Sequence, residues 1–423
     1  MLYLLNFLVW FFPIFLFKGI NKIFVFIIVY LFSQSYWIYP FSKDFFDLSY
    51  YSIVLEHHID TVLLYSIYSG LAFNFSILLI NGKYVFSKPD FQITYNIRLL
   101  NFFTVVLFLR FIVFLVLFYV FFMALNDTGG MDRREFLSYN PSWYSVFLPI
   151  AVFIVVLIQF YDFFRLKNSF DFFHYVTFFQ IFLIILIYGY DGSRREIFLL
   201  LFPMFFFMFK YLLDPRYHRN SLKVIYILVF FGTVSSILSL NRLGTAGWSF
   251  ILQSEFMDVV KGSVYLFSPM STLHVNTQML EYVQNNGYQG VGNYLRAIGN
   301  FIFPNFIFGG YIFGDPLVLK IHRELGWHGM DFGFMAEAIY SGGISMVIFM
   351  HASYGLFVGF FLKLSAKNKL ISILFIFFIM VGAVNSLRSD FMNLLKTTLY
   401  FPIFIYFMYY LYSKFFAKRG SVK

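Results

Sequence analysis

Apolar runs of bilayer-spanning length recur along almost the whole chain, and they decide what it can fold into. Stretches such as 23–38 and 224–240 approach or reach the roughly 20 residues a helix needs to cross hydrocarbon. A backbone in lipid must satisfy its own amides, so repeated runs of this kind mean helices. About eleven such segments of roughly 16–30 residues can be drawn. They lie near 2–17, 23–39, 60–81, 99–125, 143–164, 171–190, 196–213, 224–240, 333–362, 370–385 and 391–412. Composition agrees: 60% of the 423 residues are hydrophobic and 12% are charged, more apolar surface than a soluble domain could hide. The expectation is an all-α polytopic membrane protein, with 1–423 forming a single integral membrane domain. The 66 phenylalanines read mostly as lipid-facing and helix-packing surface. The first apolar run lacks a basic leader and a small-residue cleavage site, so it reads as the first span.

The loops between these spans alternate in charge. One set carries 13 Lys and 5 Arg, the other 4 Lys and 8 Arg. By the positive-inside rule the first set is cytoplasmic, which puts the N-terminus outside and the C-terminus inside. The net charge of +10 lies largely in those short cytoplasmic loops. It is a topology signal and gives no reason to expect nucleic-acid binding. The outward set holds Arg133, Arg134, Arg194, Arg195, Arg242, Arg296, Arg323 and Arg388. Arginine-rich outer loops call for a planar, bidentate partner, and phosphate fits a guanidinium better than it fits an ammonium.

The longest loop, 241–332, is extracytoplasmic on this topology. Its aromatics, glycines and polar residues suit short amphipathic helices at the outer interface, and loops of this length are usually functional. No internal repeat suggests a two-halved transporter.

Two outward turns share a design. Tyr190-Asp191-Gly192-Ser193-Arg194-Arg195-Glu196 precedes one span, and Leu387-Arg388-Ser389-Asp390-Phe391 precedes the last. Each sets arginine beside a helix start, where backbone amides favour an anion. Each could instead be a capped turn whose arginine pairs with a neighbouring acid. The long loop adds Arg296, in an expected short helix, and His322-Arg323-Glu324, His328 and Asp331 just before the ninth span. Glu337 follows about one turn inside that span, where a carboxylate is costly unless it is paired or lines a wet cavity. It is either a packing ion pair or a general base beside the arginines. Arg110, inside the fourth span, is a second intramembrane charge of undecided role. His274, His322 and His328 match no compact metal motif, and no HExxH, P-loop or nucleophile elbow occurs. Without cysteine there are no disulfides or thiolate sites. Neither a metal nor a cofactor is expected.

The segment Gly329-Met330-Asp331-Phe332-Gly333-Phe334-Met335-Ala336-Glu337-Ala338-Ile339-Tyr340-Ser341-Gly342-Gly343-Ile344 resembles the signature of bacterial O-antigen polymerases of the Wzy type. So do the Gly-Ser-Arg turn at 192–195 and the Arg-Ser-Asp-Phe turn at 388–391, in the same order, with a long outer loop late in the chain. The likeness covers roughly 191 to the end. Tyr340 stands one position later than the commoner pattern, so no role is carried over to it.

The resemblance implies a GT-C-like glycosyltransferase of the bacterial cytoplasmic membrane, acting on its periplasmic face. Its substrate would be oligosaccharide repeat units linked by pyrophosphate to undecaprenol, joined into O-antigen or related polysaccharide. Membrane lipids and a chain-length regulator are the further candidate partners. Arg194, Arg195, Arg296, Arg323 and Arg388 would then hold the pyrophosphate, and Glu337, His328 and Asp331 compete for the role of base. Trp248 and Trp327 could stack on sugars, and an apolar groove between spans would hold the isoprenoid. Alternative readings are an O-antigen ligase, which shares the donor chemistry, and a flippase for the lipid-linked unit, which would need charges along a path through the bundle.

Overall fold

A computed structural model of the chain describes residues 1–17, 54–82, 110–119, 172–191, 218–240, 270–303, 311–325, 332–365 and 391–395, with isolated positions elsewhere. Every regular element among them is helical. In chain order the main ones are α1 (Leu2–Leu16), α2 (Ile59–Asn81), α3 (Phe172–Asp191), α4 (His218–Leu240), α5 (Met270–Asn286), α6 (Gly292–Ile302), α7 (Leu317–Leu325), α8 (Phe334–Ser365) and α9 (Phe391–Leu395). Among the described residues, two helical stretches are long and apolar enough to cross a membrane, Glu56–Asn81 and Phe334–Lys363. They match the expected third and ninth spans. Helices α1, α3 and α4 coincide with the expected first, sixth and eighth spans, although their described apolar cores are shorter. The expected spans at 23–39, 143–164, 196–213 and 370–385, and most of those at 99–125 and 391–412, fall outside the described residues.

The chain divides into two compact units, 1–94 with 268–408 and 95–267 with 409–423. The boundary at 267/268 falls inside the long loop expected at 241–332. In the second unit, α3 packs on α4. Phe182 stacks on Phe231 with ring centroids 6.4 Å apart. Gln180 is buried among these apolar chains and donates its amide to the Arg110 carbonyl at 2.9 Å, so a polar side chain within an apolar helix is used to hold a neighbouring backbone.

The first unit is organised around the pairing of α2 with α8. Their close approach comes from missing side chains. Gly355 and Gly359 stand one turn apart on α8, and a Cβ on Gly355 would lie 2.5 Å from the Phe73 carbonyl oxygen. At Gly359 the Asn81 side chain uses the open space, donating to the Gly359 carbonyl at 2.8 Å. Small residues spaced this way let two helix backbones touch where lipid supplies no hydrophobic driving force. Helix α1 joins α2 through Trp10, whose indole N–H lies 3.0 Å from the Ser66 carbonyl oxygen and whose ring covers Gly70.

Helix α8 breaks at Gly342–Gly343, where Gly343 adopts φ 61° and ψ −144°. Glycine alone takes that conformation cheaply, and its missing Cβ leaves room for the Tyr288 ring. A break inside an apolar helix needs its carbonyls satisfied. The loop between α5 and α6 does this: the Gln289 N–H reaches the Tyr340 carbonyl at 3.1 Å and the Gly290 N–H reaches that of Ser341 at 3.0 Å. The loop is thereby docked into the broken helix, and α6 starts directly beside the first turn of α8.

Three helices, α5, α6 and α7, fall within the stretch 241–332. Helix α5 is polar by composition, yet it buries Thr272, His274, Asn276 and Thr277. Asn276 donates to the Tyr36 hydroxyl. Helix α6 buries Asn293, Ala297 and Asn300 along one stripe and exposes Leu295, Ile298 and Ile302 on the other side.

Candidate active site

Glu337 lies in the first turn of α8, where the positive end of the helix dipole favours a carboxylate. It is 1% exposed. Its two oxygens have separate donors: the Asn293 amide reaches Oε1 at 3.1 Å, and the Phe391 backbone N–H reaches Oε2 at 2.5 Å. Charge-assisted bonds of this kind contribute about 1.5–3 kcal/mol each, which offsets much of the desolvation of the carboxylate. Ser341, one turn further along α8, donates to the Glu337 carbonyl at 2.8 Å and accepts from the Asn293 amide at 3.0 Å. Asn293 thus ties α6 to two successive turns of α8. The packing-pair reading of Glu337 named arginine as its partner; the bonds described here come from an amide and a backbone N–H.

Two spaces lie near this carboxylate, and it lines the smaller one. A small cavity of about 10 Å³, with room for about one water, is lined by Asn293, Arg296, Asn300, Asp315 and Glu337 among others. Arg296 and Glu337 both line it. On the other side an apolar groove of about 400 Å³ runs between α6, α8 and α9, with Leu295, Ile298, Met350, Phe357 and Leu395 in its walls. Phe334, three residues before Glu337, and Phe391, its hydrogen-bond partner, both line the groove. Tyr294 also lines it; burial first, and then the nearby Glu337 charge, hold its phenol well above the usual range, so it stays neutral.

Arg323 points elsewhere. Its guanidinium bonds Asp315, and its Nε reaches the Leu319 carbonyl at 3.3 Å within α7. Asp315 in turn lines the small cavity, so Arg323 is linked to that space through an acid. The Asn300 side chain fixes the intervening loop: it donates to the Gly314 carbonyl at 2.9 Å and accepts the Phe313 N–H at 3.2 Å.

Arg194, Arg195, Arg388, His328 and Asp331 lie outside the described residues, as do Trp248 and Trp327. Arg110 is buried in the second unit. Reasoning from the sequence missed Asn293, Asn300 and Ser341. The signal for the first two was present, because asparagines seven residues apart fall on one face of a helix. His274 is buried on α5.

The chain matches no protein-family model, and no curated protein or solved structure is significantly similar to it.

Proposed function

We propose that this protein is a polymerase that joins lipid-pyrophosphate-linked oligosaccharide repeat units, working on the outer face of the bacterial cytoplasmic membrane. One observation carries the reading. The buried Glu337 carboxylate bonds the backbone of Phe391, a residue that lines the apolar groove, and the segments holding these two residues are two of those that resemble the O-antigen polymerases. A groove of this lining suits an isoprenoid tail, and the lipid's head would then lie toward Glu337.

The chemistry follows from the substrate. An acceptor hydroxyl oxygen attacks the anomeric carbon, the bond from that carbon to the pyrophosphate oxygen breaks, and the lipid pyrophosphate leaves with the electron pair. Its negative charge grows in the transition state, so arginines already in place stabilise that state more than the ground state. Arg194, Arg195 and Arg388 are assigned this work. Arg296 is assigned to the same anion from its place beside Glu337. Arg323 would join only by releasing Asp315. The acceptor proton passes to a base. Glu337 competes for that role with His328 and Asp331, which stand nine and six residues before it in the sequence.

The test is genetic. In a host that depends on this protein, replacing Arg194, Arg195 and Arg388 together by alanine should leave surface polysaccharide one repeat unit long while the protein accumulates normally. A normal ladder from a stably expressed triple variant would refute the reading. Complete loss of surface polysaccharide, the single unit included, would favour the ligase instead.

A further inference from the structure

A second cluster of chemistry-bearing side chains lies in the first unit and shares no residue with the Glu337 site. A one-turn 3-10 helix, Glu56–His58, leads into α2, and the Leu55 N–H just before it reaches the Thr277 hydroxyl of α5 at 3.3 Å. That contact holds the turn against α5, one helical turn from Glu281. His58 Nε2 lies 2.8 Å from Glu281 Oε2, and His57 Nε2 lies 3.2 Å from the same oxygen. Consecutive residues in a helical turn normally point well apart. Here two adjacent imidazoles, their ring centroids 4.1 Å apart, converge on one atom.

We propose that His57, His58 and Glu281 form a binding site for a divalent transition-metal ion of the zinc class. The ligand atoms all lie within 4.8 Å of one another, close enough for small side-chain rotations to bring three of them to the roughly 2.0–2.2 Å that zinc takes with imidazole and carboxylate. Two imidazoles and one carboxylate suit zinc, cobalt or nickel, whereas calcium and magnesium prefer oxygen. The surroundings are graded as such a site requires. The His58 side chain is 6% exposed, Glu281 is 44% and His57 is 62%, so one ligand is anchored in the protein and the open side faces out. The Asn285 amide lies 3.4 Å from the other Glu281 oxygen and steers the carboxylate from behind, as outer partners of metal ligands do. Three protein ligands leave a fourth position for water or an oxygen of a bound molecule. An ion here would clasp the start of α2 to α5, the helix whose following loop docks into the break in α8. No spacing rule could have found the set, because Glu281 is 223 residues from His58.

The experiment uses the full-length protein, purified in detergent by a tag that is then removed, stripped with chelator and titrated with Co²⁺. One equivalent per chain should bind, with the visible absorption of a low-coordinate Co²⁺ site, and Zn²⁺ should displace it. The melting temperature should rise with bound metal. His57→Ala, at an exposed position, and Glu281→Gln should each weaken binding by about tenfold or more, since even outer-shell changes at metal sites cost 10–100-fold. Absence of stoichiometric Co²⁺ uptake by the unmodified protein would overturn the proposal. So would uptake that both variants leave unchanged in folded protein.

Discussion

Glu337 Oε2 accepts the backbone N–H of Phe391 at 2.5 Å, and this bond joins two segments that are 54 residues apart. Phe391 is the first residue of α9, so the carboxylate holds the start of that helix; Arg388 stands three residues earlier in the chain. The bond to Phe391 fixes the start of α9 whether or not Glu337 also takes a proton. Glu337→Ala leaves the part-buried Phe391 N–H and one N–H of the buried Asn293 amide without their acceptor, which costs up to about 1–3 kcal/mol for each. Glu337→Gln keeps one acceptor oxygen but turns an N–H toward the second donor. Both should lower the melting temperature, alanine more, and both should shorten the polysaccharide ladder. Equal stability of all three proteins would show that the bonds to Asn293 and Phe391 contribute nothing.

Gly343 and Tyr288 occupy each other's space. A Cβ on Gly343 would fall 2.6 Å from the Tyr288 hydroxyl oxygen, and φ at this residue is 61°. Gly343→Ala should destabilise by about 1–3 kcal/mol from the backbone conformation, with the clash in addition. Adding Tyr288→Ala should recover only the steric part. Thermal unfolding of the two variants in detergent separates these contributions. Full recovery in the double variant would mean that the glycine conformation is not needed.

Gly355 tests the helix pairing. Its missing Cβ lets α8 approach the α2 backbone at Phe73, and backbone cannot swing aside as a flexible side chain can. Gly355→Ala should cost about 1–3 kcal/mol by overpacking. Gly232→Ala on α4 meets nothing within 4 Å and should be neutral or slightly stabilising, as alanine is favoured over glycine in helices. Melting temperatures of the pair decide the point.

The groove offers a separate handle on the substrate. Ser353 is an exposed residue of its wall, so Ser353→Trp should narrow it without opening the core. If the groove holds the isoprenoid, this variant should raise KM for a long-tailed lipid-linked donor by about tenfold, a loss of about 1.4 kcal/mol of binding. A short-tailed donor should react as before. Equal effects on both donors would move the tail elsewhere.

The parts of this fold that could be read from the residues are the ones that local chemistry dictates. The expected spans at 60–81 and 333–362 agree with α2 and α8 to within a few residues, because apolar length is set by bilayer thickness. Glu337 stood out because a carboxylate inside an apolar run must have a partner. Which partner it has was not legible: Asn293 lies 44 residues away, and nothing local to either residue encodes the pairing. Helix α5 shows the limit of composition as a guide to burial. Its polar composition resembles a solvated surface, yet Thr272, His274, Asn276 and Thr277 are buried because other elements of the unit cover them. Arg323 was expected to bind pyrophosphate, and the ion pair described for it is to Asp315, eight residues away across a turn that local sequence does not write out.

Purified protein shows whether lipid-linked saccharides are lengthened. Incubated with a single, defined repeat unit linked by pyrophosphate to an isoprenoid, it should produce a ladder of polymers and release the free lipid pyrophosphate, and the Arg194, Arg195 and Arg388 triple alanine variant should produce neither. Unit that remains unextended, in folded protein that still binds it or moves it across a vesicle membrane, would contradict the account.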